Sequence, residues 1–312
     1  MDLSSRIAIA TIKLALGIIF YIVIISTARL FPTAAGMMLL FPMLNGLTLA
    51  AAPQKEESVQ RAANTMLLLP MANCSLCGFY ILTFIWISPS GALVSLLFGL
   101  SALWLSFAVS IVYYEVEIRG KRNQRIYILV CTILCIAMAT LIGYEPKSKV
   151  LIATSVPWFE FLKQNAIKIL LFIISFSIII AISDFVATRS SSPLISRLLG
   201  ILSGLPLVPL FGLYTIADPT GDMAGQRVEI FGSLAVSIWL SPIIAIGFIF
   251  LFCEFLLKTG RYNDRQWEYR FAFLIPFWAG SFALMVGMAI MIDSFKPYAD
   301  AKPRAVTPVA MF

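Results

Sequence analysis

The chain has 312 residues, of which 60% are hydrophobic and 12% charged, with mean hydropathy +0.92 and a formal net charge of +7. That is too little charge to cover a soluble domain of this length. There is no histidine, which excludes haem ligation through His, His-based catalytic triads and most zinc sites.

Nine apolar runs of near-membrane length follow in chain order, and they predict an all-α, polytopic membrane protein. They do not alternate apolar and polar residues, as strands of a β-barrel would. The first, Ile7–Ala28, is too long for a removable signal peptide and lacks a small-residue cleavage site, so it is expected to stay as an anchor. It carries Lys13 one to two turns inside. The second, Ala34–Ala52, is interrupted by Pro42 and carries Asn45. The third, Ala63–Ile87, contains Asn73 and the pair Cys74 and Cys77. Redox pairs of that spacing sit at a soluble helix start, whereas this one is deep in an apolar span and reads as core packing, as do Cys131, Cys135 and Cys253. Gly91–Tyr114 and Ile126–Ile142 follow. The aromatic-rich SVPWFEFL, residues 155 to 162, is expected at the membrane interface. Ala166–Val186 carries Lys168 and Asp184. Leu194–Ile216 carries Pro206 and Pro209. Ile230–Phe252 and Phe271–Ile292 complete the set, and residues 293–312 form an extended, disordered tail.

Loop charge sets the expected orientation. With the N-terminus on one side, that side collects thirteen Lys and Arg residues and the opposite side eight. The richer side includes EIRGKRNQR and LKTGRYNDRQWEYR. The rule that positive loops stay inside then predicts a cytoplasmic N-terminus and a periplasmic C-terminus. The net positive charge is this topological signal, and no nucleic-acid partner is expected.

The chain also repeats itself. GMMLLFPMLNGLTLAAAPQKEESVQRA, from Gly36, returns as GILSGLPLVPLFGLYTIADPTGDMAGQRVEI, from Gly200. Gly36 pairs with Gly200 and Pro42 with Pro206. After a two-residue insertion, Gly46 pairs with Gly212, Pro53 with Pro219, and Gln60-Arg61 with Gln226-Arg227. Upstream, Lys13 pairs with Lys168. Residues 1–125 and 166–292 then form two four-helix units, and residues 126–165 supply one crossing between them. One crossing inverts the second unit, which predicts a pseudo-two-fold axis in the membrane plane. Proline frees a backbone carbonyl one turn back, and in lipid that group must find protein or water. Broken helices at matching places in two halves point to a transporter's central site. The alternative is a kinked packing helix that binds nothing.

The second half, with Arg189, Leu205-Pro206, Thr220-Gly221-Asp222 and Ser241-Pro242, resembles the GlpM-like small bacterial inner-membrane proteins over residues 165 to 292. Residues 7 to 114 resemble them less: Phe41-Pro42 survives, but QKEES replaces the TGD loop. The resemblance implies the bacterial inner membrane, an association with envelope polysaccharide production, and no cofactor. Its pattern includes a helix ending near proline. A flipped tandem of such units is similar to the drug/metabolite transporter superfamily at the level of fold.

Few residues remain as candidates for a pathway. Lys13 and Lys168 either snorkel to the headgroups or form a matched pair of cations facing a cavity, suited to an anionic substrate. Asp184 is deep enough for a proton or cation role. Arg61 and Arg227 stand at matched loop ends as anion attractors or as ordinary solvated charge. Asn45 and Asn73 line a polar path or hold helices together. Glu254 is expected to pair with Lys258. With no clustered acid/base set and no nucleotide loop, no enzymatic activity, metal or cofactor is expected. Two readings remain: a secondary transporter or flippase-like carrier of a small or lipid-linked envelope metabolite, and a non-transporting membrane subunit of an envelope polysaccharide complex. The partners expected are the lipid bilayer, such a substrate, and envelope-biosynthesis proteins or a homodimer.

Overall fold

The computed structural model describes residues 3–51, 55–87, 100, 104, 121–143, 157–188, 193–217, 227–263 and 267–295. Among them every regular element is helical: α1 (Leu3–Leu30), α2 (Pro32–Met38), α3 (Met43–Ala50), α4 (Glu56–Ile87), α5 (Lys121–Gly143), α6 (Trp158–Gln164), α7 (Ala166–Thr188), α8 (Pro193–Ser203), α9 (Leu207–Ala217), α10 (Arg227–Lys258), a 3₁₀ turn (Arg261–Asn263) and α11 (Trp267–Phe295). Taking α2 with α3 and α8 with α9, eight spans among the described residues are long and apolar enough to cross a membrane. The chain is therefore read as a multi-pass membrane protein. The ninth expected span, Gly91–Tyr114, lies outside the described residues except for Leu100 and Trp104, as do the Thr220-Gly221-Asp222 loop, Arg189 and the tail beyond Phe295.

The interior is built from α4, α10 and the two interrupted spans, whose residues are mostly buried. Helices α1, α5, α7 and α11 surround them and turn exposed Ile, Leu and Phe outward, as lipid-facing helices do. The short α6 exposes Trp158 and Phe159 and buries Phe161, as fits an interfacial segment. All five cysteines are buried and unbridged. Glu254 pairs with Lys258 at 3.4 Å, as expected, and also with Lys121 at 3.3 Å.

Helices α4 and α10 have the same length, 32 residues, and each contains an internal proline, Pro70 and Pro242. Proline by itself therefore does not break these helices. Helix α10 continues to Lys258, which corrects the expectation of a helix ending near Pro242. The two helices run antiparallel. Tyr80 meets Phe231 with ring centroids 6.0 Å apart, and Cys74 Sγ donates to the Ile238 carbonyl at 3.3 Å. That contact lies one turn from each proline, so Pro70 and Pro242 stand level with each other.

Helices α1 and α7 are antiparallel too. Gly17 lies against the Phe176 ring, and Tyr21 stacks on Phe172 at 4.4 Å. At the spacing that pairs Lys13 with Lys168, Gly17 corresponds to Phe172 and Tyr21 to Phe176. Exchanging the halves turns one contact into the other.

Each interrupted span packs on the long helix of the opposite half. A Cβ on Gly36 would strike Ser237 Oγ and come within 3.0 Å of Leu234. A Cβ on Gly200 would lie 2.8 Å from Thr65 Cβ and 2.9 Å from the Ala62 carbonyl oxygen. At Gly200 the neighbour is backbone and glycine is required, whereas at Gly36 the nearest atom is the end of a side chain. Ala62 and Leu234, Thr65 and Ser237, and Pro70 and Pro242 are all 172 residues apart. The structural match of α4 to α10 thus differs from the sequence match of Gln60-Arg61 to Gln226-Arg227, whose separation is 166. Arg61 is the sixth residue of α4, whereas Arg227 is the first of α10.

Candidate functional site

Proline creates both interruptions through the same local geometry. Helix α2 ends at Met38, and Phe41 N–H closes a last turn on the Met38 carbonyl at 2.9 Å. Pro42, at φ −80° and ψ 47°, then occupies the centre of an inverse γ-turn: Met43 N–H donates to the Phe41 carbonyl at 2.8 Å. Helix α3 restarts with Gly46 N–H on the Pro42 carbonyl at 3.1 Å. Around Pro206 the pattern recurs. Leu207 N–H donates to Leu205 at 2.9 Å, and Leu210 N–H to Pro206 at 2.8 Å. These are breaks of the helix axis, not the bends expected from a simple kink.

The two breaks face one cavity of about 50 Å³. Its lining includes Pro42, Asn45, Pro70, Asn73, Pro206 and Pro209, with Ser203 and Gly204. A water needs roughly 10–15 Å³ of such space, so the cavity holds a few waters or a very small solute, and not a lipid-linked glycan. No charged side chain lines it. Proline at four lining positions removes backbone donors, which leaves carbonyls and side-chain amides to set its polarity. Asn73, reaching from α4, donates through Nδ2 to the Gly204 carbonyl at 3.0 Å, while its Oδ1 is buried with no hydrogen-bond partner. Asn73 therefore holds the second break at the wall of the cavity, with its Oδ1 enclosed.

The remaining candidates lie elsewhere. Lys13 and Lys168 are buried within protein and do not line the cavity. Lys168 Nζ is 3.4 Å from Asn165 Oδ1 and 5.6 Å from the Tyr214 ring centroid. Arg61 pairs with Glu57 at 2.9 Å on the exposed face of α4. The side chains of Asp184 and Arg227 lie outside the described residues. Sequence reasoning passed over Pro70 and Ser203, which line the same cavity. The signal for Pro70 was available in its counterpart, Pro242. A polar cluster also escaped notice, in which Asn64 Oδ1 accepts from Gln124 Nε2 at 2.7 Å and from Gln60 Nε2 at 3.0 Å.

No known family model, curated protein or solved structure matches the chain.

Proposed function

We propose that the protein is a secondary transporter of a small solute, built as two inverted halves that meet at the cavity between Pro42 and Pro206. The single observation carrying this reading is the pair of proline breaks, each with an i→i+2 hydrogen bond across the proline, that line one cavity. Broken helices expose backbone polar groups where lipid cannot satisfy them, so they persist only against protein, water or a bound solute. The inverted relation is supported by the antiparallel pairs α1 with α7 and α4 with α10, and by contacts that interchange when the halves are exchanged. Inverted halves provide two near-equivalent states that open the site to each side in turn.

The uncharged lining shifts the expected substrate from an anion to a small neutral or hydrogen-bonding solute, and the volume disfavours a lipid-linked one. The loop charges favour a cytoplasmic N-terminus. The GlpM-like texture of residues 165 to 292 favours the bacterial inner membrane and a role in envelope production. The small volume also favours a second reading, in which the centre is a static joint and the protein is a non-transporting subunit.

Accessibility separates the two readings. The native cysteines are buried, and a variant with them replaced by Ala or Ser provides the background. Asn45→Cys on that background is exposed to an impermeant thiol reagent from each side of sealed vesicles of both orientations. Alternating access gives labelling from both sides. No labelling from either side, in protein that remains folded, overturns transport and leaves the static joint.

A further inference from the structure

We propose that the groove between α10 and α11, and its counterpart on α4, each seat an acyl chain of a bilayer lipid, one in each half of the membrane. The proposal rests on the membrane reading of the spans and not on transport. The first groove has a volume of about 590 Å³ and the second about 550 Å³. Both fall within the ~300–1,000 Å³ range of small-ligand sites, and both are more than ten times the size of the central cavity.

The grooves occupy equivalent places. Five α10 residues from Ile243 to Leu251 line one, and the five α4 residues 172 positions earlier, from Met71 to Phe79, line the other. This is the separation set independently by the packing of Gly36 and Gly200. Because α4 and α10 are antiparallel and cross level with Pro70 and Pro242, the two stretches run from that level toward opposite membrane faces.

The occupant follows from shape and surroundings. The first groove lies between the spans α10 and α11 and the second between the spans α4 and α5, with Leu100 and Trp104 also on its lining, and the rim residues Phe79 and Leu251 are exposed. The linings are mostly apolar, with Ser75, Trp104 and Tyr127 in one groove and Ser281 in the other as the hydrogen-bonding exceptions. Packed helices lie ~8–10 Å apart, and a helix with side chains is ~10–12 Å across, so a second copy's helix cannot enter the crevice between α10 and α11. A slender hydrocarbon chain can. The floor is kept open by glycine: a Cβ on Gly247 or Gly280 meets nothing within 4 Å. Those glycines make no close helix contact that would otherwise explain them.

The same feature supplies the test. The purified full chain is placed in nanodiscs containing a phosphatidylcholine with a diazirine in its acyl chain, irradiated, and mapped by peptide mass spectrometry. Label is expected to concentrate on 243–251 and 276–288, above the level on the outward ridge of α7 at Ile174 and Ile178, which serves as the generic lipid-facing surface. Gly247→Leu with Gly280→Leu grows side chains from positions where a Cβ meets nothing within 4 Å, and should bring labelling there down to the α7 level, with the α4 groove unchanged. Equal labelling of groove and ridge in the wild type overturns the proposal. So does a groove signal that the filled variant retains while its melting temperature stays at wild type. Cross-linking of α11 to a second copy in place of lipid overturns it as well.

Discussion

The two interrupted spans share their backbone geometry but differ in how they are held. The second is tied to the first half by side-chain hydrogen bonds on both sides of its break. Asn73 holds the Gly204 carbonyl, and Tyr21 meets Thr215 Oγ1 at 2.7 Å. The equivalent positions in the other half are Ala245 and Phe176, which have no side-chain hydrogen-bonding group. Among the described residues, the first interrupted span has such a tie at its N-terminal end, where Thr33 donates to Asp293 at 2.7 Å. Between Leu205 and Ala217, Pro209 stiffens the second span further, and Asn45 stands in its place three residues after Pro42. Equal breaks with unequal ties imply a fixed member and a freer one. On the transport reading, the Pro42 segment is the part that moves.

The largest expected effect comes from the glycine contacts that seat each span. Gly200 faces the Ala62 carbonyl, a backbone atom that cannot turn away, whereas Gly36 faces the end of the Ser237 side chain, which can. Gly200→Ala is expected to cost ~1–3 kcal/mol as overpacking, and Gly36→Ala less. Thermal unfolding of the purified protein in one detergent ranks them. The reverse order would show that Ser237, which donates to the Leu234 carbonyl at 3.0 Å, is the more rigid neighbour.

Next in size is the Asn73 tie. Interhelical side-chain hydrogen bonds in membranes average ~0.6 kcal/mol, up to ~1.7. Asn73→Ala should cost an amount in that range, and it should act locally. In hydrogen exchange, the amides of Gly204 and Leu207 are expected to be slower than those of Phe41 and Met43 in the wild type, and the variant should remove most of that difference. Identical exchange at the two breaks before mutation would remove the contrast between a fixed and a freer span.

How far the sequence reveals this arrangement depends on the physics behind each signal. The spans are legible because a bilayer demands long apolar helices, and the breaks only through the match of Pro42 with Pro206, since Pro70 and Pro242 lie in unbroken helices. The pairing of Lys13 with Lys168 is legible as a register, and the Gly17–Phe176 and Tyr21–Phe172 contacts keep it. The role of the lysines as cavity cations was not legible, since burial inside protein and burial against lipid look alike along one helix. The Gln-Arg match and the glycine contacts at Thr65 and Ser237 give spacings that differ by six residues, 166 against 172. Asn73 was readable as helix glue or path lining, and its hydrogen bond to the Gly204 carbonyl shows the first. The open glycines at 247 and 280 carry no sequence signal that separates them from packing glycines such as Gly200.

The smallest expected effect is that of Tyr21→Phe, at the second tie of the fixed span, where the cost depends on which atom is left unpaired. When Thr215 Oγ1 donates to the Phe211 carbonyl, 2.8 Å away, the Tyr21 hydroxyl is left as the donor in its 2.7 Å contact with Thr215. In Tyr21→Phe, Thr215 keeps its own donor satisfied and loses only an incoming hydrogen bond. The ring stack on Phe172 remains, and the natural residue at the equivalent position is already Phe176. The cost should stay near the ~0.6 kcal/mol average. Thr215→Val is the harsher change although it removes the same bond. It strands a fully buried tyrosine donor, a group whose desolvation costs ~1–3 kcal/mol when it goes unpaired. Melting temperatures of the two variants and their double mutant should therefore rank Thr215→Val below Tyr21→Phe, with the double mutant recovering part of the loss because no donor is left stranded. Equal melting temperatures for the two single variants would mean that the hydroxyl finds another acceptor, and that the second span is tied at Asn73 alone.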